Sequence, residues 1–303
     1  MGNGRWRDTD WAAYKTAHIA GKTIDQVFTS NILVDSFDPT KITLRESRDS
    51  AANPASTPII LAADVTGSMG EVADALMRDG LNTLAREIYD RNPVPDPHIM
   101  VMAVGDAEFD SAPLQVTQFE ADISLADQVR QLWLERGGGP NGGESYFLPH
   151  VFAAHKIDAD IWKRGKKGYL FTIGDEPFLD GVTKEEAARF LGIQLERSLT
   201  ARECVALLRD KFEVFHVILE ERVSLRSNYT ALVDEWNNVL PQHVLRLSDH
   251  TKLAETVVAA IQIAEGEAKA SVVSGWGRGT DLVIADAVRN LAAKASGTGV
   301  VRL

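Results

Sequence analysis

Apolar residues fall along this chain in two spacings. From Thr57 onward there are short unbroken runs, Ile59-Ile60-Leu61-Ala62-Ala63 first, then stretches at His98 to Gly105, Gly168 to Gly174, Val214 to Leu219 and His243 to Leu247. Runs of that length without polar alternation read as strands covered on both faces, the habit of parallel sheets. Between them apolar residues recur every three or four positions: Ala73, Met77, Leu81, Leu84 and Ile88; Leu125, Val129 and Leu132; Leu253, Val257 and Ile261. That period belongs to helices with one buried face. Further helices are expected over Tyr146 to Asp158, Lys184 to Leu191, Ala201 to Phe212 and Tyr229 to Val239. The link from Asp106 to Pro113 is too short for a crossover helix, so the strand expected at Leu114 to Phe119 must return antiparallel and lie at an edge. The pattern predicts an α/β fold: a Rossmann-like doubly wound sheet, mostly parallel with one antiparallel edge strand, in strand order 3-2-1-4-5-6.

The two ends do not share this rhythm. Residues 1–55 offer a short helix around Asp8 to His18 and an alternating Ile42, Leu44 segment, followed by polar, Pro-containing sequence. Residues 269–303 offer a Gly-rich link at Gly275-Trp276-Gly277-Arg278-Gly279 and a stripe of Ile284, Val288 and Leu291. Neither end has enough apolar residues for a core of its own. The expected organisation is an N-terminal extension at 1–55, one domain at 56–268 and a C-terminal extension at 269–303, with both ends packed on the core or on a neighbouring subunit.

Composition narrows the function classes. At 303 residues and 45% hydrophobic content the chain can hold one large core, while its formal net charge of -11 leaves no basic excess to neutralise phosphates or anionic lipid. Neither nucleic acid nor membrane is an expected partner, and no apolar run reaches the ~18 residues of a membrane span. The one cysteine, Cys204, lies among Val205, Leu207 and Leu208 and reads as a core filler. The start Met1-Gly2-Asn3-Gly4-Arg5-Trp6 has no signal-like apolar run and places Trp6 where a myristoylation motif wants Ser or Thr. A cytoplasmic location is expected. Gly21-Lys22-Thr23 ends like a phosphate-binding loop, but Thr16 stands where its first glycine belongs and no strand precedes it.

The candidate chemistry sits where the first run ends. Asp64-Val65-Thr66-Gly67-Ser68-Met69-Gly70 spaces a carboxylate and two hydroxyls at alternate positions, so that their oxygens can aim at one point. Oxygen donors alone suit Mg²⁺, Mn²⁺ or Ca²⁺ rather than zinc. The plainer reading is a turn that caps the next helix, with Ser68 as N-cap. In the expected strand order the first and fourth strands are neighbours at the point where the order reverses, and their ends carry Asp64 and Asp175. Gly137-Gly138-Gly139-Pro140-Asn141-Gly142-Gly143-Glu144-Ser145 is a loop able to overhang the same crevice. Asp106 and Asp110 belong to the same end of the sheet and read either as residues at the rim of the site or, more plainly, as ordinary turn carboxylates.

Enzyme readings are weaker. Thr66-Gly67-Ser68-Met69-Gly70 approaches the G-x-S-x-G elbow of α/β-hydrolases, which would recruit Ser68 with Asp175 or Asp249 and His250. That fold places several strands before its nucleophile, and only poorly patterned sequence precedes this one. A haloacid-dehalogenase-like phosphatase needs an acid where Thr66 stands. His150 and His155 are five apart and fall on different faces of a helix, so they form no H-E-x-x-H zinc site.

Asp64-Val65-Thr66-Gly67-Ser68-Met69 resembles the D-x-[ST]-x-S motif of the metal-ion-dependent adhesion site of von Willebrand factor type A (vWA) domains. Gly137 to Ser145 is similar to that family's second metal loop, and Ile173-Gly174-Asp175-Glu176 to the third. The resemblance covers about residues 56–268. It departs from the family pattern in the second loop, where Asn141, Glu144 and Ser145 are alternative substitutes for the usual Thr or Asp. It implies a metal set of Asp64, Thr66, Ser68, Asn141, Glu144 and Asp175 holding Mg²⁺ or Mn²⁺. The implied function is a protein-binding module, not an enzyme, that captures an Asp or Glu of a protein partner. It also implies an adaptor or assembly role alongside a MoxR-type AAA+ ATPase.

Overall fold

A computed structural model describes residues 4–137, 139–221 and 229–291, and the backbone alone at Ser68. Gly2, Gly138 and the last part of the tail lie outside the described residues.

The strands are β1 (Arg45–Ser47), β2 (Thr57–Asp64), β3 (Pro97–Val104), β4 (Leu114–Val116), β5 (Ile157–Ala159), β6 (Gly168–Gly174), β7 (Phe212–Leu219) and β8 (Val244–Leu247). Six of them form one sheet in the order β4-β3-β2-β6-β7-β8. Within it β2–β3, β2–β6, β6–β7 and β7–β8 pair parallel, and β4 closes one edge antiparallel to β3. This is the expected α/β, mostly parallel architecture. The labels do not coincide with 3-2-1-4-5-6, because β1 and β5 pair with each other as a separate parallel sheet of two strands. Neither had been expected. The segment read as alternating around Ile42 and Leu44 enters its strand only at Arg45, with Ile42 buried and Leu44 exposed. The edge strand is also shorter than expected: it leaves the ladder after Val116, and Thr117 uses both its backbone N–H and its hydroxyl on Val101 O.

Alternation along the strands divides the core. Ile59, Leu61 and Ala63 of β2 face one apolar cluster with the Leu81–Arg91 and Leu253–Glu265 helices, while Ile60 and Ala62 face a second with the Leu148–Lys156 and Tyr229–Val239 helices. Both faces are thus covered, which is why the runs show no polar alternation. Cys204 is fully buried in the second cluster and its thiol is pushed up to about 12, chiefly by burial, as befits a filler.

The extensions complete the first cluster. Trp6, Trp11 and Phe28 from one end, and Trp276, Ile284, Val288 and Leu291 from the other, are buried in it. Polar contacts fix them in place: Trp6 Nε1 donates to Asn82 Oδ1 at 2.8 Å, Tyr14 donates to Asp127 Oδ1 at 2.9 Å, and the Arg91 guanidinium lies 3.5 Å from the centre of the Trp276 ring. Among the described residues no helix is long and apolar enough to cross a membrane.

Candidate metal centre

The carboxyl ends of β2 and β6 lie side by side, with Ala63 in register with Ile173. The next residues along, Asp64 and the Gly174-Asp175 pair, therefore emerge together where the strand order reverses. The chain turns sharply after β2, with Gly67 at φ +39°, a conformation that glycine adopts without a Cβ penalty. Asp64 Oδ1 accepts both the backbone N–H and the hydroxyl of Thr66, each at 2.7 Å. Taken alone, that is a local Asx-type turn.

What exceeds a turn comes from the glycine loop. Gly67 N–H donates to Gly137 O at 3.2 Å, tying this loop to the first. Glu144 is then stitched to the segment after β6: its N–H donates to Pro177 O and its carbonyl accepts from Leu179 N–H, both at 2.9 Å. Held so, Glu144 places Oε1 3.0 Å from the Thr66 hydroxyl. That hydroxyl has one hydrogen and two carboxyl oxygens facing it. Either one carboxyl carries a proton or a cation stands between them. Glu144 Oε2 and Asp106 Oδ2 are buried without a hydrogen-bond partner among the described residues.

Burial sharpens the conflict. Asp64 is 1% exposed, and Glu144 and Asp175 each 4%. No Lys or Arg among the described residues pairs with Asp64, Asp106 or Glu144. The Asp64 carboxyl is held above the usual carboxylate range, first by burial, against its bonds from Thr66, and further by the charge of Asp175. Glu144 is raised likewise by burial and then by the charge of Asp64. Buried carboxylates that raise one another in this way need protons or a metal ion.

Thr66, Glu144 and Asp175 line a cleft of about 220 Å³ together with the loop glycines and Glu176. Its donors are carboxylate and hydroxyl oxygens, and the unpartnered Glu144 oxygen is one a cation would satisfy. The residues present fit a hard divalent ion. Of the expected ligands, the structure brings together Asp64, Thr66, Glu144 and Asp175. Ser68 follows in the same turn, Gly67–Met69, and its side chain lies outside what is described. Asn141 is exposed and donates to Glu108 Oε2 at 3.2 Å, away from the cleft lining. Ser145 is committed elsewhere, its Oγ accepting from Ala107 N–H at 2.9 Å.

Sequence reasoning missed one part of the site and ranked another second. Tyr146, read only as the start of a helix, is fully buried and donates from its hydroxyl to Asp64 Oδ2 at 3.1 Å. Asp106 and Asp110, read as turn carboxylates first and rim residues second, are buried, with Asp110 Oδ2 accepting from Asp106 N–H at 2.8 Å. A Cβ on Gly137 would stand 1.9 Å from Asp110 Oδ1, so the glycine loop is shaped by this carboxylate as well. The glycines were the available signal. They mark a close approach without naming the partner. Of the hydrolase partners, His250 Nδ1 faces Glu221, and Asp249 Oδ1 accepts the Thr251 N–H at 3.0 Å.

No protein-family model matches the chain, and no curated protein matches it. Among solved structures it is similar to the pilus adhesin SpaC from Lactobacillus rhamnosus GG in its open conformation, at 10% identity and a TM-score of 0.45, over 73% of this chain and 31% of that one. It is also similar to a von Willebrand factor type A structure from Catenulispora acidiphila, at 15% identity and a TM-score of 0.37, over 71% of this chain and 44% of that one. The chain spans less than half the length of either structure.

Proposed function

We propose that this protein is a vWA-like protein-interaction module in which Asp64, Thr66, Glu144 and Asp175, with Ser68 beside them, hold Mg²⁺ or Mn²⁺ for capture of a partner's Asp or Glu. The observation that carries this is the Thr66 hydroxyl with Asp64 at 2.7 Å and Glu144 at 3.0 Å, beside a buried, unpartnered Glu144 oxygen. When bound, the ion supplies Lewis acidity toward an incoming carboxylate. The chain's own part is to fix its donors on a rigid sheet end and to let glycines keep the mouth of the cleft open. Asp64, Glu144 and Asp175 together exceed a divalent ion's charge when all three are ionised, so in this reading one of them keeps its proton, as burial favours at Glu144, when a partner carboxylate reaches the ion. Phe109, 52% exposed and lying across Gly139, offers an apolar contact at the lip. An adaptor role beside a MoxR-type ATPase, and the absence of catalytic turnover, rest on the sequence resemblance alone.

Calorimetric titration of the whole chain with Mg²⁺ and Mn²⁺ tests the reading. Asp64→Ala is expected to abolish binding and Glu144→Gln to weaken it by at least about tenfold, while Asn141→Ala leaves it unchanged. Equal affinities in wild type and Asp64→Ala would refute the site. A loss with Asn141→Ala but none with Glu144→Gln would transfer the second-loop role to Asn141.

A further inference from the structure

The opposite end of the sheet carries a second concavity. It has a volume of about 460 Å³ and is built where β6, β7 and β8 begin, under the ends of the Ala201–Ala206 and Tyr229–Val239 helices. β6 is 7 residues long, so this mouth lies roughly 20 Å from the candidate metal centre. The floor is apolar, with Phe212, Val214 and Leu240 buried beneath it. The rim carries Lys167, Arg202 and Arg209 against a single acidic residue, Glu213.

That acid is already neutralised. Lys167 Nζ lies 3.0 Å from Glu213 Oε1, and His243 Nε2 lies 3.9 Å from Oε2. Arg202 donates from Nε to Asn238 O at 3.2 Å, in the last turn of the Tyr229–Val239 helix, and its outer guanidinium nitrogens have no hydrogen bond or ion pair among the described residues. The Arg209 side chain makes no ion pair or hydrogen bond among the described residues. Two guanidinium groups are thus in surplus at one concavity, in a chain whose formal net charge is -11. Surface arginines often lay their stems over apolar ground to cover it. Here the floor remains open, at a volume within the ~300–1,000 Å³ range of small-molecule pockets.

We propose that this basin binds a small organic anion with an apolar or aromatic body, the body on Phe212, Val214 and Leu240 and the anionic group on Arg202 and Arg209. A guanidinium fork matches carboxylate or phosphate oxygens two at a time. The apolar floor accounts for the rest of the ligand, which an inorganic anion lacks. The proposal is independent of the metal reading.

The probe is naphthoate, compared with neutral naphthol and with inorganic phosphate, titrated into the full-length protein and followed by amide NMR shifts. Saturable naphthoate binding is expected, with shifts concentrated at 202–214 and 238–243, and at least tenfold weaker binding of naphthol and of phosphate. The Arg202→Gln/Arg209→Gln double variant, altered only at exposed positions, is expected to lose naphthoate binding by a similar factor while its Mg²⁺ titration stays as in wild type. No saturable naphthoate binding would overturn the site as a whole, and naphthol binding as tightly as naphthoate, or a double variant that still binds, would overturn its charged half. Phosphate binding as tightly as naphthoate would overturn the apolar half.

Discussion

At Thr66 one hydroxyl hydrogen faces two carboxyl oxygens, and the resolution of that conflict depends on pH. A carboxyl whose pKa is raised on folding, as at Asp64 and Glu144, keeps its proton longer in the folded chain than in the unfolded one. Its contribution to stability therefore falls as pH rises from the ordinary carboxylate range toward the raised value. A bound cation replaces the proton and removes that loss. His150, pushed down to about 4 by burial, and His216, lowered for the same reason, act in the opposite sense: they cost stability as pH falls through the ordinary histidine range. That cost is the same with and without metal and cancels in the difference. The stabilisation by excess Mg²⁺, about 2.7 kcal/mol at 100 times Kd, is thus expected to be much smaller at about pH 5.5 than at about pH 9, the value to which Glu144 is raised. Thermal melts at both pH values, with Mg²⁺ and with chelator, check this. Equal gains at the two pH values would contradict it.

Among the elements, the end of β6 is the one whose sequence is most tightly dictated by a neighbour. Gly174 lies where a Cβ would stand 1.8 Å from the Tyr146 hydroxyl, the group that bonds Asp64. Gly174→Ala must push Tyr146 aside. The expected cost is roughly 1–3 kcal/mol, the range for overpacking a close-packed interior, together with weaker Mg²⁺ binding because Asp64 loses a support. Urea unfolding and calorimetry on the same variant measure both, and an unchanged denaturation midpoint would show that the tyrosine relocates freely. The strands themselves were legible because burial on both faces writes an unbroken apolar run. β1 and β5 were not: three residues each are too few for periodicity to register, and their pairing joins positions more than a hundred residues apart.

For the whole molecule, the question is whether the ends belong to the fold. Trp11 is 4% exposed and stacks in a cluster that includes the central strands and the Leu253–Glu265 helix. Trp11→Ala is expected to cost about 3–5 kcal/mol, as for large aromatic truncations in a core, although the residue lies far in sequence from every strand of the main sheet. A midpoint unchanged by the substitution would show the N-terminal helix to be an appendage. The same cluster takes in Val65 and Met69, on either side of Thr66 and Ser68, so the N-terminal helix and the candidate metal loop share one apolar core.

The sequence alone determined the α/β class, the antiparallel edge and the convergence of Asp64 with Asp175, because burial on both faces, a link too short for a helix and the reversal of strand order all leave local marks. It also marked the glycine loop as a place of close approach. Only the tertiary structure put Glu144 beside Thr66 and Asn141 outside the cleft lining, buried Asp106 and Asp110, and brought the Tyr146 hydroxyl to Asp64. Those choices depend on where the glycine loop is stitched to the segment after β6, and a loop's path is set by backbone bonds to distant strands that no spacing along the chain records.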